Sequence, residues 1–114
     1  MLRELLLCKI HKATVTQADV AYIGSITIDQ DLLDRIDLWP GQKVTVVSNT
    51  SGSRLETYVI SGARGTGVIG INGAAALMIK KGEEVIIFSY ALSDREITPK
   101  MILVDSKNKY VQDL

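Results

Sequence analysis

The sequence predicts a mainly-β fold, a small β-barrel with short helices. Its 114 residues suit one domain with a single core, which we expect to span residues 1–114. Several short segments rich in valine, isoleucine and threonine are separated by turn residues, a pattern that is typical of strands. Only two segments carry the capping signals of a helix, and both are short.

Charge and hydropathy exclude several classes of protein. Thirteen basic and thirteen acidic residues give a net charge of zero, and they are scattered along the chain. Without a basic face, the sequence predicts no binding to nucleic acid or to an anionic membrane surface. The apolar run Leu5–Cys8 is too short for a signal peptide core, and no run approaches the length of a membrane span. We therefore expect a cytoplasmic protein.

The segment from Leu5 to Thr16 predicts one or two strands. Alternation places Lys9 and His11 on one face, opposite Ile10. Either residue could be an ordinary surface or hydrogen-bonding side chain, or part of a site. The single cysteine, Cys8, is typical of a small buried hydrophobe, and with a single histidine it predicts no metal site.

The stretch Tyr22–Asp29 alternates like a strand but contains the pair Gly24 and Ser25. A glycine inside a strand indicates a bulge, a bend or a close approach of another backbone. The Ser25 hydroxyl lies beside the Gly24 carbonyl with no flanking side chain, so it could attack its own backbone. The same pair is also common in ordinary turns, so both interpretations stay open here.

Asp29 is a plausible N-cap for a short helix over residues 30–36, and a turn at 39–42 ends that unit. Strands are then predicted over Lys43–Val47 and Arg54–Ile60, joined as a hairpin. In the second of these strands, alternation separates Thr57 from Arg54 and Tyr58. A local bulge could bring the three together, but the spacing does not establish one.

The glycine-rich segment Ser61–Gly67 could be mistaken for a phosphate-binding loop. The short strand Val68–Ile71 follows it, whereas a phosphate-binding loop needs a helix there. The sequence therefore favours a turn between strands. Later strands are expected over Glu83–Ala91 and Met101–Asp105, and the tail from Ser106 is too polar to assign.

A second helix is predicted to begin at Asn72 and to end at Gly82. Small residues at its start would leave the amides of Gly73, Ala74 and Ala75 open to an anion.

Four of these motifs occur together in a distinctive order and spacing: Lys9-Ile10-His11, Tyr22–Asp29, Arg54–Tyr58 and Asn72–Ala76. In this the chain resembles the pyruvoyl-dependent aspartate 1-decarboxylases over about residues 1 to 92. The resemblance implies a double-psi β-barrel and a homotetramer with active sites between neighbouring subunits. It also implies conversion of L-aspartate to β-alanine for pantothenate and coenzyme A.

The resemblance further implies that the precursor cuts itself between Gly24 and Ser25. The Ser25 oxygen attacks the Gly24 carbonyl, an ester forms, and elimination followed by hydrolysis leaves a pyruvoyl group at the new N-terminus. That group forms a Schiff base with the substrate and takes the place of pyridoxal phosphate, and no metal is implied. Thr57 is the implied donor to the Gly24 oxyanion during maturation. Whether maturation needs a helper protein stays open.

The remaining roles also follow from the resemblance. Tyr58 is the implied proton donor after decarboxylation, with Tyr22 and His11 in supporting positions. The implied substrate-binding residues are Lys9, Arg54, Thr57, Asn72, Gly73, Ala74 and Ala75.

Two other interpretations are compatible with the same residues. In one, the chain is a β-barrel binding or scaffold module in which Gly24 and Ser25 form a strand bulge and Arg54 and Lys9 bind an anion. In the other, it is a precursor that never matures.

Overall fold

The computed structural model describes all 114 residues as nine strands and two short helices. The elements are β1 (Arg3–Thr14), β2 (Gln17–Asp19), β3 (Ser25–Asp29), α1 (Gln30–Ile36), β4 (Lys43–Ser48), β5 (Arg54–Gly62), β6 (Ile69–Asn72), a 3₁₀ helix (Gly73–Leu77), β7 (Glu84–Ser93), β8 (Lys100–Val104) and β9 (Tyr110–Asp113). The predicted mainly-β barrel with short helices is confirmed. Neither helix combines the length and the hydrophobicity that crossing a membrane would require.

The strands hydrogen-bond in the order β2-β6-β3-β5-β4-β7-β1-β8-β9. Three pairs are parallel, β1 with β8, β2 with β6 and β3 with β5, and the other pairs are antiparallel. The alternating side chains of these strands bury one cluster of 21 apolar residues. This cluster includes Cys8, where burial raises the pKa of the thiol to about 11, as expected for a buried hydrophobe. The barrel therefore offers a rigid frame for polar groups at its strand ends.

Local sequence signals correctly predicted helix α1. The Asp29 carboxylate accepts a hydrogen bond from the Asp31 amide at 2.9 Å, which caps the first turn. At its other end, Asp37 adopts a left-handed conformation with φ 53° and closes the helix. The predicted β4–β5 hairpin also forms, and β5 extends two residues further than expected, to Gly62.

The predicted helix from Asn72 to Gly82 is wrong. Only a five-residue 3₁₀ helix forms, and the Asn72 side chain makes no capping hydrogen bond. Gly73 has a φ of +77°, which breaks the backbone path that an α-helix would need. After Leu77 the chain turns instead, because the Glu83 carboxylate accepts a hydrogen bond from the Lys80 amide at 2.6 Å. Tertiary contacts thus override the local helix preference.

Two short strands of the structure, β2 and β9, were not predicted from the sequence. Strand β2 pairs in parallel with β6, and β9 pairs with β8 within the tail that the sequence left unassigned. Asn108 anchors this tail: its side chain is buried and hydrogen-bonds to the Thr14 backbone and to the Gly67 carbonyl. Such strands depend on partners elsewhere in the chain, so their own composition does not reveal them.

Candidate active site

The chain enters the barrel at Gly24 and Ser25. Strand β3 begins at Ser25, so the predicted strand is wrong for Tyr22, Ile23 and Gly24, which lie in the preceding bend. Ile23 is 75% exposed whereas Ser25 is 1% exposed. The glycine thus marks a bend from solvent into the sheet, one of the outcomes that its position predicted.

The Ser25 hydroxyl is held by two hydrogen bonds. It donates to the Ile23 carbonyl at 2.9 Å and accepts from the Asn72 Nδ2 at 3.0 Å. The second hydrogen of the same amide goes to the Thr27 Oγ1, also at 3.0 Å. Ser25 and Asn72 are cross-strand partners on β3 and β6, which explains how residues 47 positions apart meet. Sequence reasoning missed Thr27, although its spacing of two from Ser25 predicts that the two share a face.

The backbones of Gly24 and Gly73 approach each other closely. A Cβ atom on Gly73 would lie 2.6 Å from the Gly24 Cα and 2.9 Å from its nitrogen, so only glycine fits there. On Gly24 itself, a Cβ would meet no atom within 4 Å. We call this group, Gly24, Ser25, Thr27, Asn72 and Gly73, the Gly-Ser junction.

The amides of Gly73, Ala74 and Ala75 do not form the predicted α-helix N-terminus. They belong to the 3₁₀ helix, in which Gly73 is buried, Ala74 is exposed and Ala75 is half-buried. A 3₁₀ helix of five residues has few aligned peptide dipoles and therefore a weak helix dipole. Any attraction for an anion thus depends on direct hydrogen bonds from these amides.

A separate groove lies where β4, β5 and β7 meet. Its volume is about 620 Å³, and its lining includes Arg54, Glu4, Glu56, Phe88 and Tyr90. The guanidinium carbon of Arg54 lies 5.5 Å from the centre of the Phe88 ring, a cation–π contact. We call this feature the Arg54 groove.

The two cationic side chains that line the Arg54 groove, Lys43 and Arg54, differ in whether a carboxylate of the chain already binds them. Lys43 and Glu56 form an ion pair at 2.5 Å, and Glu56 thereby raises the pKa of Lys43. Arg54 makes no salt bridge with any carboxylate of the chain. Its fork of N–H donors is therefore free to bind an incoming carboxylate.

Tyr58 and Thr57 lie on opposite faces of β5. The β4–β5 register runs without a break from the Lys43–Tyr58 pair to the Val47–Arg54 pair, so no bulge brings Thr57 beside Tyr58. The parallel β3–β5 ladder begins at Ile26 and Val59, one step after Ser25 and Tyr58. Tyr58 thus lies level with Ser25 on the neighbouring strand, whereas the Thr57 hydroxyl makes no hydrogen bond within the chain.

Lys9 and His11 lie on β1, whose register with β8 keeps both side chains opposite the buried Ile10, as predicted. Lys9 on β1 is the cross-strand partner of Phe88 on β7, and the Phe88 ring is the one that contacts Arg54. His11 lies at the break in the β1–β7 register, beside Lys12 with its φ of 63°. Lys9 thus neighbours Phe88 on the sheet, but neither Lys9 nor His11 is among the residues that line the Arg54 groove.

The glycine-rich segment between β5 and β6 is a turn between strands, as predicted. The Asp29 carboxylate accepts hydrogen bonds from the amides of Gly65, at 3.1 Å, and Gly67, at 2.9 Å. These amides are therefore used internally and do not cradle a phosphate. No group of three or more histidine, cysteine, aspartate and glutamate side chains is arranged to hold a metal ion.

The fold and the site define a class: a small β-barrel in which a buried serine follows an exposed glycine, with a separate open groove whose arginine has no carboxylate partner. The model of the family described as aspartate decarboxylase matches residues 1–111. The aspartate 1-decarboxylase of Neisseria meningitidis serogroup C is 56% identical over 113 residues, which cover 96% of this chain and 89% of that relative. The chain therefore belongs to the aspartate decarboxylase family. This finding confirms the resemblance drawn from its four motifs.

Proposed function

We propose that this protein converts L-aspartate to β-alanine and CO₂, for pantothenate and coenzyme A synthesis, with a pyruvoyl group made from its own Ser25. Family membership supports the substrate and the reaction. The observation that carries the rest is the Gly-Ser junction, where a buried serine hydroxyl directly follows a glycine carbonyl and contacts an amide donor. We further propose that residues 1–114 act as one domain in the cytoplasm.

The first step of the proposed maturation starts from the uncut chain. The Ser25 hydroxyl donates to the Ile23 carbonyl, one residue before the Gly24 carbonyl that it attacks in the proposed maturation. Its oxygen then bonds to the Gly24 carbonyl carbon, and the acyl group moves from nitrogen to oxygen. If maturation takes hours, at roughly 10⁻⁴ per second, the barrier is about 23 kcal/mol. A donor to the oxyanion, for which Thr57 is our candidate, would lower such a barrier by about 2.7 to 4 kcal/mol.

The surroundings of Ser25 fit a pyruvoyl group. The group supplies a ketone that reacts with the substrate amine and accepts electrons as CO₂ leaves. Pairing of β3 with β5 and β6 holds residue 25 in place when the chain ends there. The Asn72 amide points at the same position and can orient a carbonyl oxygen.

Substrate recognition is assigned to the Arg54 groove. Arg54 has no carboxylate partner, and Lys9 lies in the neighbouring row. Each charged hydrogen bond contributes roughly 1.5 to 3 kcal/mol, so two of them would select a diacid over an uncharged amine. Binding should favour the carboxylate that stays, because gripping the one that leaves stabilises the ground state.

We assign protonation of the product carbon to Tyr58. Its strand position level with Ser25 and its 40% exposure allow the phenol to reach a substrate bound at residue 25. We assign supporting positions to Tyr22 and His11, and substrate contacts to Asn72 and to the amides of Gly73, Ala74 and Ala75.

The arrangement favours a homotetramer with active sites between subunits. Within one subunit, the lining of the Arg54 groove includes neither Ser25 nor Asn72. Exposed apolar side chains flank the Gly-Ser junction, among them Tyr22, Ile23 and Leu77 at 54%, 75% and 63% exposure. Covering these residues with a second copy would bring a groove from one subunit to the junction of another. Native mass spectrometry measures this state directly.

Intact-mass measurement tests the proposed function. We expect two fragments, residues 1–24 and 25–114, and trapping of substrate on the larger one by borohydride in the presence of aspartate. β-Alanine should appear in proportion to the cleaved fraction. A parallel incubation with cell extract shows whether a helper protein speeds maturation. Full-length protein that persists in both incubations without producing β-alanine would instead support the scaffold module.

A further inference from the structure

We propose that Thr27 is a positioning residue for the elimination step of maturation, an inference that rests on the self-cleavage proposed above. Its Oγ1 accepts one hydrogen of the Asn72 amide at 3.0 Å, and the other hydrogen reaches the Ser25 Oγ at 3.0 Å. Thr27 therefore gives the amide a second acceptor, which helps to hold its Nδ2 at the reacting oxygen.

The Ser25 hydroxyl determines which groups donate in the hydrogen bonds that join Ser25, Asn72 and Thr27. The Ser25 hydrogen is directed at the Ile23 carbonyl, so the Asn72 atom that faces Ser25 must be a donor. Asn72 is 2% exposed, which leaves little room for solvent to hold its amide. The backbone of Thr27 is itself fixed on both sides, by Ile60 of β5 and Gly70 of β6.

A hydrogen-bond donor at the Ser25 oxygen assists the elimination step more than the initial attack. During attack, a lone pair of Oγ moves to the Gly24 carbonyl carbon, and a donor competes for that electron density. During elimination, the Cα proton of Ser25 leaves to hydroxide or water, a Cα–Cβ double bond forms and the Cβ–Oγ bond breaks. The electron pair stays on Oγ, which becomes a carboxylate oxygen of Gly24.

Negative charge therefore develops on the atom that the Asn72 amide contacts. Water then hydrolyses the dehydroalanine with release of ammonia, which leaves the pyruvoyl group. Since Oγ remains bonded to Cβ until elimination, Asn72 stays within reach throughout. The arrangement of Thr27 and Asn72 is thus matched to the leaving oxygen.

Substitutions of Thr27 and of Asn72 are expected to slow elimination by different factors. Removing a donor from a developing oxyanion costs about 10²- to 10³-fold in rate, the loss that we expect for Asn72→Ala. Thr27→Val keeps the donor but frees its orientation, so we expect elimination to slow about tenfold. Because attack is not slowed, the ester should accumulate.

The test follows protein from cell-free synthesis by intact mass, with aliquots treated with neutral hydroxylamine, which splits esters and leaves amides intact. Thr27→Val should accumulate uncleaved chain that hydroxylamine splits after Gly24, and Thr27→Ser should restore the normal course. Thr14→Val is the matched control, because this half-buried strand threonine makes no hydrogen bond through its hydroxyl.

Two results would overturn the inference. One is Thr27→Val cleaving as fast as the unaltered chain, and the other is uncleaved chain that resists hydroxylamine, which would mean that attack had slowed. Cleavage of the unaltered chain separates these results from failure of the proposed function, in which that chain stays whole. Thermal unfolding monitors the fold, and comparison of Thr27→Ser with Thr27→Ala repeats the test if the valine variant unfolds.

Discussion

The Gly-Ser junction and the Arg54 groove differ in almost every physical respect. At the junction, Ser25 and Asn72 are 1% and 2% exposed and joined by a direct hydrogen bond. In the groove, Arg54 is exposed, unpaired with any carboxylate, and supported only by the face of Phe88. In the proposed function, residue 25 supplies the group that reacts with each substrate, whereas the Arg54 groove supplies a cation that binds the substrate. Variants that affect one region and spare the other test this division.

The largest effect is expected from Ser25→Ala at the junction. Without a β-hydroxyl there is neither an attacking oxygen nor a leaving group, so both fragmentation and β-alanine production should be abolished. Intact mass and product analysis measure the two losses. Ser106→Ala, at an exposed turn, is the control and should mature normally. Turnover that persists in Ser25→Ala would remove pyruvoyl chemistry from the protein.

Tyr58→Phe should separate the two reactions. The chain should still cut itself, because the phenol makes no hydrogen bond to the junction in the structure. Turnover should fall about 10²- to 10⁴-fold, the range for loss of a general acid. Intact mass gives the fraction of cleaved chain, and kcat is then calculated per cleaved chain for the variant and for the unaltered protein. An unchanged kcat would dismiss Tyr58 as the proton donor.

Arg54→Ala should weaken substrate binding and leave maturation intact. Loss of a charged hydrogen bond worth 1.5 to 3 kcal/mol lowers kcat/KM about 10- to 150-fold. Arg64→Ala is the matched control, since Arg64 is an exposed arginine whose partners are Asp31 and Asp34, outside both regions. If both variants lose the same activity, the Arg54 groove is not the substrate site.

The smallest effect concerns the stability of the fold around Glu83, a residue that belongs to neither region. The Ser48 hydroxyl, followed by the Lys80 amide, holds the pKa of Glu83 below its ordinary value of 4.5. A lowered folded-state pKa contributes stability above the unfolded value, and this stability is lost as the pH falls through the folded value. Urea titrations between pH 2 and 6 should show this loss in the unaltered chain.

Glu83→Gln should lose most of that acid sensitivity and about 2 kcal/mol of stability at neutral pH. Glu96→Gln, at an exposed position without hydrogen bonds, should keep both. Equal pH profiles for Glu83→Gln and the unaltered chain would show that this carboxylate does not stabilise the fold.

The sequence predicted best where the signal is local. Asp29 caps α1 through a hydrogen bond two residues away, and the β4–β5 hairpin depends on neighbouring segments. The helix after Asn72 failed because the same small residues serve a contact 49 positions away, between Gly73 and Gly24. Intrinsic preference cannot anticipate a contact of that kind.

The sequence indicated candidate residues for the site but not how the fold groups them. Motif spacing indicated Ser25, Asn72 and Arg54, yet only the strand order shows that the first two meet and that the third lies in another groove. Thr27 was missed because a threonine in a strand is ordinary until its cross-strand neighbour is known.

The long pairing of β1 has a consequence for the mature molecule. The fragment of residues 1–24 holds β1, which is bound on both sides by β7 and β8, together with β2, which is bound to β6. The proposed cut after Gly24 would therefore leave the two fragments paired through these strands, as a heterodimer within each barrel. Renaturation then becomes a second-order process, and the denaturation midpoint depends on protein concentration.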